Sequence, residues 1–192
     1  MRFARGVWPL VLAAALTVAC GDPPEREIQQ AQSAIDAARQ AGAETYAHDE
    51  FAAAQAALKN ANDAVTQRDY RLALSAALDA RERALNAATE AADRKAAARA
   101  DAQRALATAT SALTEARLRL KAADTLRAPP RALAAARRAI AGVDQSLQKA
   151  RTAEKNGDYI GANDAAKAAL TRLQAVARDL DAASSPARGR RR

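Results

Sequence analysis

Large apolar side chains are scarce in this chain. Of its 192 residues 59 are alanine, which leaves only about a third of the 49% hydrophobic fraction to anything bigger. Beyond residue 20, Leu, Ile, Val and Phe together make up about 13% of the residues, below the roughly 20% under which composition favours disorder. The deep core of a large globular enzyme is therefore excluded. A single His and a single Cys cannot build a metal centre of imidazoles and thiolates, and one Cys cannot close a disulfide within the chain. Aromatic residues at 3% and only seven Gly speak against a sheet-based fold and against a Gly-rich phosphate loop. No cofactor and no metal is expected, and no set of residues stands out as catalytic.

What is present is helix-forming. Alanine has the highest intrinsic helix propensity, and the few breakers cluster at a handful of points. The composition therefore predicts an all-α chain whose helices are held by thin seams.

The formal net charge of +8 suggests nucleic acid until its position is considered. Arg2 and Arg5 open the sequence, and Arg188, Arg190, Arg191 and Arg192 close it. Without those six, 24 basic residues face 22 acidic ones, and the two signs are interspersed as on solvated helix faces. No basic stripe interleaved with aromatics tracks a phosphate backbone. A cytosolic basic coil binding nucleic acid is the last-ranked reading, because it requires the N-terminal segment to be retained.

That segment has three parts: basic residues through Arg5, an apolar run Val7 to Ala19, and a small residue before Cys20. The run is too short to span a hydrocarbon core of about 30 Å as a helix, so it reads as a cleavable signal. The stretch Leu16-Thr17-Val18-Ala19-Cys20-Gly21 resembles the lipobox of bacterial lipoproteins, with Thr17 where that family usually has an aliphatic residue. The resemblance implies cleavage between Ala19 and Cys20 and attachment of lipid to the Cys20 thiol. Acyl chains contribute about 0.8 kcal/mol per buried methylene, so two or three of them on one residue hold a soluble body to a bilayer. By the lipoprotein sorting rule, Gly21 after the cysteine implies the outer membrane of a Gram-negative bacterium, facing the periplasm.

The remaining large apolar residues recur at spacing seven. Ile28 and Ile35, Phe51, Leu58 and Val65, Leu78 and Leu85, Leu106, Leu113 and Leu120, Leu133, Ile140 and Leu147, and Leu173 and Leu180 are six such runs, most followed three residues later by alanine. Seams of this kind predict close antiparallel helix pairs. Punctuation divides the pattern into five helices. The first follows Pro23-Pro24 and ends near Gly42, and the second runs from about Asp49 to Gln67. The third starts behind Asp69 as N-cap and continues to about Arg127. The fourth opens at Pro129-Pro130 and stops at Asn156-Gly157, and Asp158 caps the fifth, which fades at Ser184-Ser185-Pro186.

A repeat accompanies the heptads: Leu58, Ala61, Asp69, Tyr70, Ala73 and Ala80 return 89 positions later as Leu147, Ala150, Asp158, Tyr159, Ala162 and Ala169. The expected fold is two three-helix units of antiparallel hairpins sharing one long central helix. The divisions are a signal at 1–19, a lipidated tether at 20–23, unit one at 24–92, a solvated helical connector at 93–101, unit two at 102–183 and a disordered basic tail at 184–192. The connector rests on the absence of large apolar residues between Leu85 and Leu106.

The run Ala43-Glu44-Thr45-Tyr46-Ala47-His48-Asp49-Glu50-Phe51, then Asp69-Tyr70-Arg71-Leu72-Ala73, resembles an uncharacterised family of alanine-rich helical envelope lipoproteins, whose members are often joined to OmpA-like domains. Here His48 stands in place of the family's Pro, and Arg68 in place of the Gly before Asp69. The resemblance implies a non-catalytic, lipid-anchored helical scaffold of the cell envelope that acts through envelope proteins or peptidoglycan. The Asp-Tyr pairs also resemble those of tetratricopeptide repeats, which opens a second reading. In it the chain is a peptide- or peptidoglycan-binding module whose groove gathers Tyr46, Tyr70 and Tyr159. His48 is expected to be exposed. The C-terminal arginines are candidates for contact with an anionic surface, at about 1 kcal/mol per basic residue near charged lipid. Alanine seams can also pair between chains, so an oligomer is open.

Overall fold

The computed structural model describes residues 22–184, and among them α-helix is the sole regular secondary structure, with no strand. The helices are α1 (Glu25–Ala41), α2 (Ala43–Tyr46), α3 (His48–Thr66), α4 (Tyr70–Thr125), α5 (Pro130–Lys155) and α6 (Tyr159–Ser184). Five of them are the expected ones. The addition is α2, one turn in the corner between α1 and α3, entered through Gly42 at φ +93°. None of the described helices is long and apolar enough to cross a membrane.

Each corner has a local cause. Asp69 accepts a hydrogen bond from the Leu72 N–H at 3.0 Å, and Asp158 accepts one from the Gly161 N–H at 2.9 Å. Both are side-chain caps on N–H groups the first turn leaves unpaired. At the end of α3 the Asp69 N–H reaches back to the Ala64 carbonyl at 2.9 Å, with Arg68 in the left-handed region at φ +60°. At the end of α5 the Asp158 N–H reaches the Ala153 carbonyl at 2.9 Å, with Gly157 at φ +85°. These are the same helix stop built twice. A third, at the end of α4, carries Arg127 at φ +57° and is followed by Pro130 in the first turn of α5.

Helix α4 is unbroken for 56 residues, a contour of about 84 Å at 1.5 Å per residue. Its first half packs against α1, α2 and α3, and its second half against α5 and α6. Two apolar clusters result. One joins α1 to α3 with Ala80, Ala84, Ala87 and Ala91, and the other joins Leu106 to Ala123 of α4 with α5 and α6. The chain is therefore two three-helix units on a shared helix. Between Ala91 and Ala102 no residue of α4 is buried, so the helix crosses from one cluster to the other through a solvated stretch.

Burial follows the repeat. The buried positions of α6 are Ala162, Ala166, Ala169, Leu173, Val176 and Leu180. Each lies 89 residues after a buried alanine of α4: Ala73, Ala77, Ala80, Ala84, Ala87 and Ala91. On the partner helices, Phe51, Ala54, Leu58 and Ala61 correspond likewise to Ile140, Val143, Leu147 and Ala150, all buried. The α3–α4 and α5–α6 hairpins are one design used twice.

The seam expected from the leucines holds in five of its six runs, with Ile28, Val65 and Leu120 half-buried at the fringes. It fails for Leu78 and Leu85, which are 48% and 51% exposed. The face of α4 turned to α1 and α3 is made of alanine alone, in the register one residue earlier. Three helices meet along this line, and small residues let two neighbours approach α4 closely, at the short end of the 8–10 Å range of interaxial distances. Leucine on that line would overpack it.

Ion pairs between helices tie the units at their surfaces. Arg83 meets Glu50 at 3.7 Å, Arg117 meets Asp144 at 3.2 Å, Arg119 meets Asp181 at 2.6 Å and Arg137 meets Asp124 at 3.4 Å. All involve well-exposed side chains, so each contributes little to stability. No charged or polar residue is buried among the described residues.

Candidate functional site: the groove between the units

The residues the sequence singles out for attachment, Ala19 and Cys20, lie outside the described residues, as do Arg188, Arg190, Arg191 and Arg192. What the fold does establish is where the chain enters and leaves. The seating of Arg39 over Phe51 at 5.6 Å, with Gln32 near Asn62, makes α1 antiparallel to α3. The start of α1 is thus level with the α3–α4 corner, at one end of α4. Helix α6 runs back along α4 until Asp181 meets Arg119, so Ser184 lies at the other end.

Midway, where neither unit covers α4, a groove of about 580 Å³ opens beside Tyr159. Its floor is alanine, including Ala92, Ala96 and Ala100 of α4 and Ala41 of α1, and its polar lining is Lys95, Arg99, Gln103 and Tyr159. Lys95 and Arg99 are one helical turn apart, about 6 Å along the axis. Of the neighbouring acids, Glu90 is engaged with Arg94 at 2.6 Å and Asp101 with Arg104, while Asp93 is two residues before Lys95, about 160° round the helix. Arg94 also donates to the Tyr46 carbonyl oxygen at 3.0 Å, which fastens the α2 corner to α4 just before the groove.

Tyr46 ends α2 at the neighbouring corner of unit one. Its phenol is held above the usual value of 10.0, first by burial and then by the Asp158 carboxylate and the Tyr159 phenol across the junction. The structure thus sets Tyr46 and Tyr159 within electrostatic reach of each other, with only Tyr159 lining the groove, and leaves Tyr70 apart at the α3–α4 corner. Sequence reasoning missed Lys95, Arg99 and Gln103 as a lining, because it treated 93–101 only as solvated helix. The available signal was two cations four apart with no acid four residues from either.

Elsewhere the surface offers less. A cavity of about 280 Å³ between α5 and α6, lined by Ala132, Ala136, Ala139, Val176 and Leu180, is the gap that facing alanines leave. His48 is exposed at the first turn of α3, as expected. Among the described residues no group of three His, Cys, Asp or Glu could hold a metal ion. Comparison with family models, with curated proteins and with solved structures finds no match to this chain.

Proposed function

We propose that this protein is a lipid-anchored helical scaffold of the bacterial cell envelope, held at the outer membrane through Cys20 and facing the periplasm, with no catalytic role. The resemblance of residues 16–21 to a lipobox and of residues 43–73 to alanine-rich envelope lipoproteins supports this reading. The observation that carries it furthest is the unbroken α4. One helix serves both units, so the entry of the chain beside α1 and its exit after α6 are held apart by a rod of about 84 Å. A body anchored at residue 20 would then project its far end, and the arginines beyond it, away from the anchoring membrane and toward peptidoglycan or envelope proteins.

Membrane fractionation of the wild type beside Cys20→Ser, with intact mass of the mature form, tests the anchor. The expected result is wild type in the outer-membrane fraction with acyl mass on Cys20, and a variant that is released or unprocessed. Both chains soluble at full length would sink it.

The groove favours a second reading, a module binding extended acidic peptides or peptidoglycan stems. Lys95 and Arg99, neither in an ion pair among the described residues, lie a turn apart and match the roughly 6.6 Å between same-face residues of an extended chain, and Tyr159 offers a ring beside them. Titration with a labelled Glu-Ala-Glu-Ala peptide, compared with Lys95→Glu/Arg99→Glu, discriminates the two. Equal response of both proteins removes this second reading.

A further inference from the structure

We infer that the Leu74, Leu78 and Leu85 face of α4 pairs with the same face of a second copy of this chain, the two α4 helices running side by side in the same direction. The three leucines are 38%, 48% and 51% exposed. Their spacings of four and seven place them on one face of the helix, within about 40° at 100° per residue.

The internal repeat supplies a control for what these leucines do. Their counterparts 89 residues later in the same hairpin are Asn163, Lys167 and Gln174. Lys167 and Gln174 are exposed, so the hairpin fold works with polar residues there and the leucines at 78 and 85 serve something it does not need, whereas Asn163 is half-buried with its side-chain oxygen covered. Three exposed apolar residues in heptad register on one helix are what a helix partner recognises.

The flanks of the stripe choose the partner and its direction. Arg81 borders it on one side and Glu82 on the other, both exposed and neither in an ion pair among the described residues. In a parallel pair the two-fold axis runs along the helices, so opposite flanks meet and each Arg81 faces Glu82 of the second copy. In an antiparallel pair like flanks meet, setting Arg81 against Arg81 and Glu82 against Glu82, which is repulsive. Three half-exposed leucines alone fall short of the ~800 Å² per partner of a stable interface. The stripe, however, continues along Ala92 and Ala96, small residues that floor the groove beside Tyr159 and allow close approach, for a contact about 33 Å long that would occupy that groove. Two chains anchored in one membrane would also be parallel, but the charge pattern carries the direction without the anchor.

Oxidative crosslinking of the full chain in cells tests the pairing. Leu78→Cys and Leu85→Cys should each give a species of doubled mass, while Leu72→Cys, exposed on the opposite side of α4, should not. Equal yield from Leu72→Cys and Leu78→Cys overturns the proposal, as does crosslinking seen only between a Leu78→Cys copy and a Leu85→Cys copy, which is the antiparallel arrangement. A dimer formed by the parent through Cys20 would mean that its thiol is not acylated. That outcome sinks the anchor, and the pairing is then read in a Cys20→Ser background. Independently, Leu74→Asn/Leu78→Lys/Leu85→Gln installs the repeat's own residues. The detergent-extracted full chain should halve in sedimenting mass with helical signal and melting unchanged, and a wild type that sediments as a monomer overturns the inference.

Discussion

Arg68 and Gly157 take the same left-handed step before the same aspartate cap, one with a side chain and one without. The left-handed region costs a residue with a Cβ about 1–2 kcal/mol. Arg68→Gly is therefore expected to stabilise the chain by about 1 kcal/mol, and Gly157→Arg to destabilise it similarly, both read from urea unfolding midpoints. A shift of the opposite sign at either position would mean that Arg68 makes a compensating contact. Tyr46 gives a second handle. Burial and nearby negative charge favour its neutral form when folded, so stability is unaffected below about pH 10 and falls as pH rises from there toward the folded value. In an ultraviolet titration Tyr46→Phe should remove a limb that ionises above 10.0, and Asp158→Asn, which keeps an N-capping side chain, should move that limb to lower pH. An unmoved limb would separate the two units electrostatically.

Helix by helix, stability lies in few large side chains. Leu147 is fully buried on α5, and an aspartate there would be a buried charge with no partner. Leu147→Asp should abolish the cooperative melting of unit two, whereas Leu118→Asp, at a position 59% exposed, should stay within about 0.5 kcal/mol of wild type. Circular dichroism melting separates the two. The helices were legible in advance because their limits are chemical: Pro23-Pro24, Gly42, Asp69, Pro129-Pro130, Gly157 and Asp158 each stand where a helix starts or stops. The seam on the first half of α4 was misread because heptad counting looks for the largest apolar residue. There the three-helix line selected alanines instead. The repeat held the correction, since Leu78 and Leu85 fall opposite Lys167 and Gln174, which no core would hold.

As a single body the protein is a rod with two cores and one solvated crossing. Ala97 is exposed in that crossing and belongs to neither cluster. Proline in a helix interior costs about 3 kcal/mol and kinks or breaks it. Ala97→Pro should therefore leave both units folded, with melting changed little, while the maximum dimension from small-angle scattering shortens and broadens. Cooperative loss of both units would show instead that the cores are coupled through α4. If the scaffold reading holds, this variant should also fail in the cell while remaining anchored, because the separation of the two ends is lost.

Composition and spacing were sufficient for the all-α class, the helix limits, the duplicated hairpin and the long central helix, because each depends on backbone propensity, caps and periodicity within one segment. Three things were decided only by tertiary structure. One is which of two adjacent stripes on α4 turns inward, a choice made by how closely three helices can approach. Another is the gathering of Ala41 and Tyr159 beside Lys95 and Arg99, residues far apart in the chain that a continuous α4 brings to one groove. The last is the placement of the chain's entry and exit at opposite ends of the rod, which follows from the direction in which each hairpin folds back, and spacing along a chain does not record direction in space.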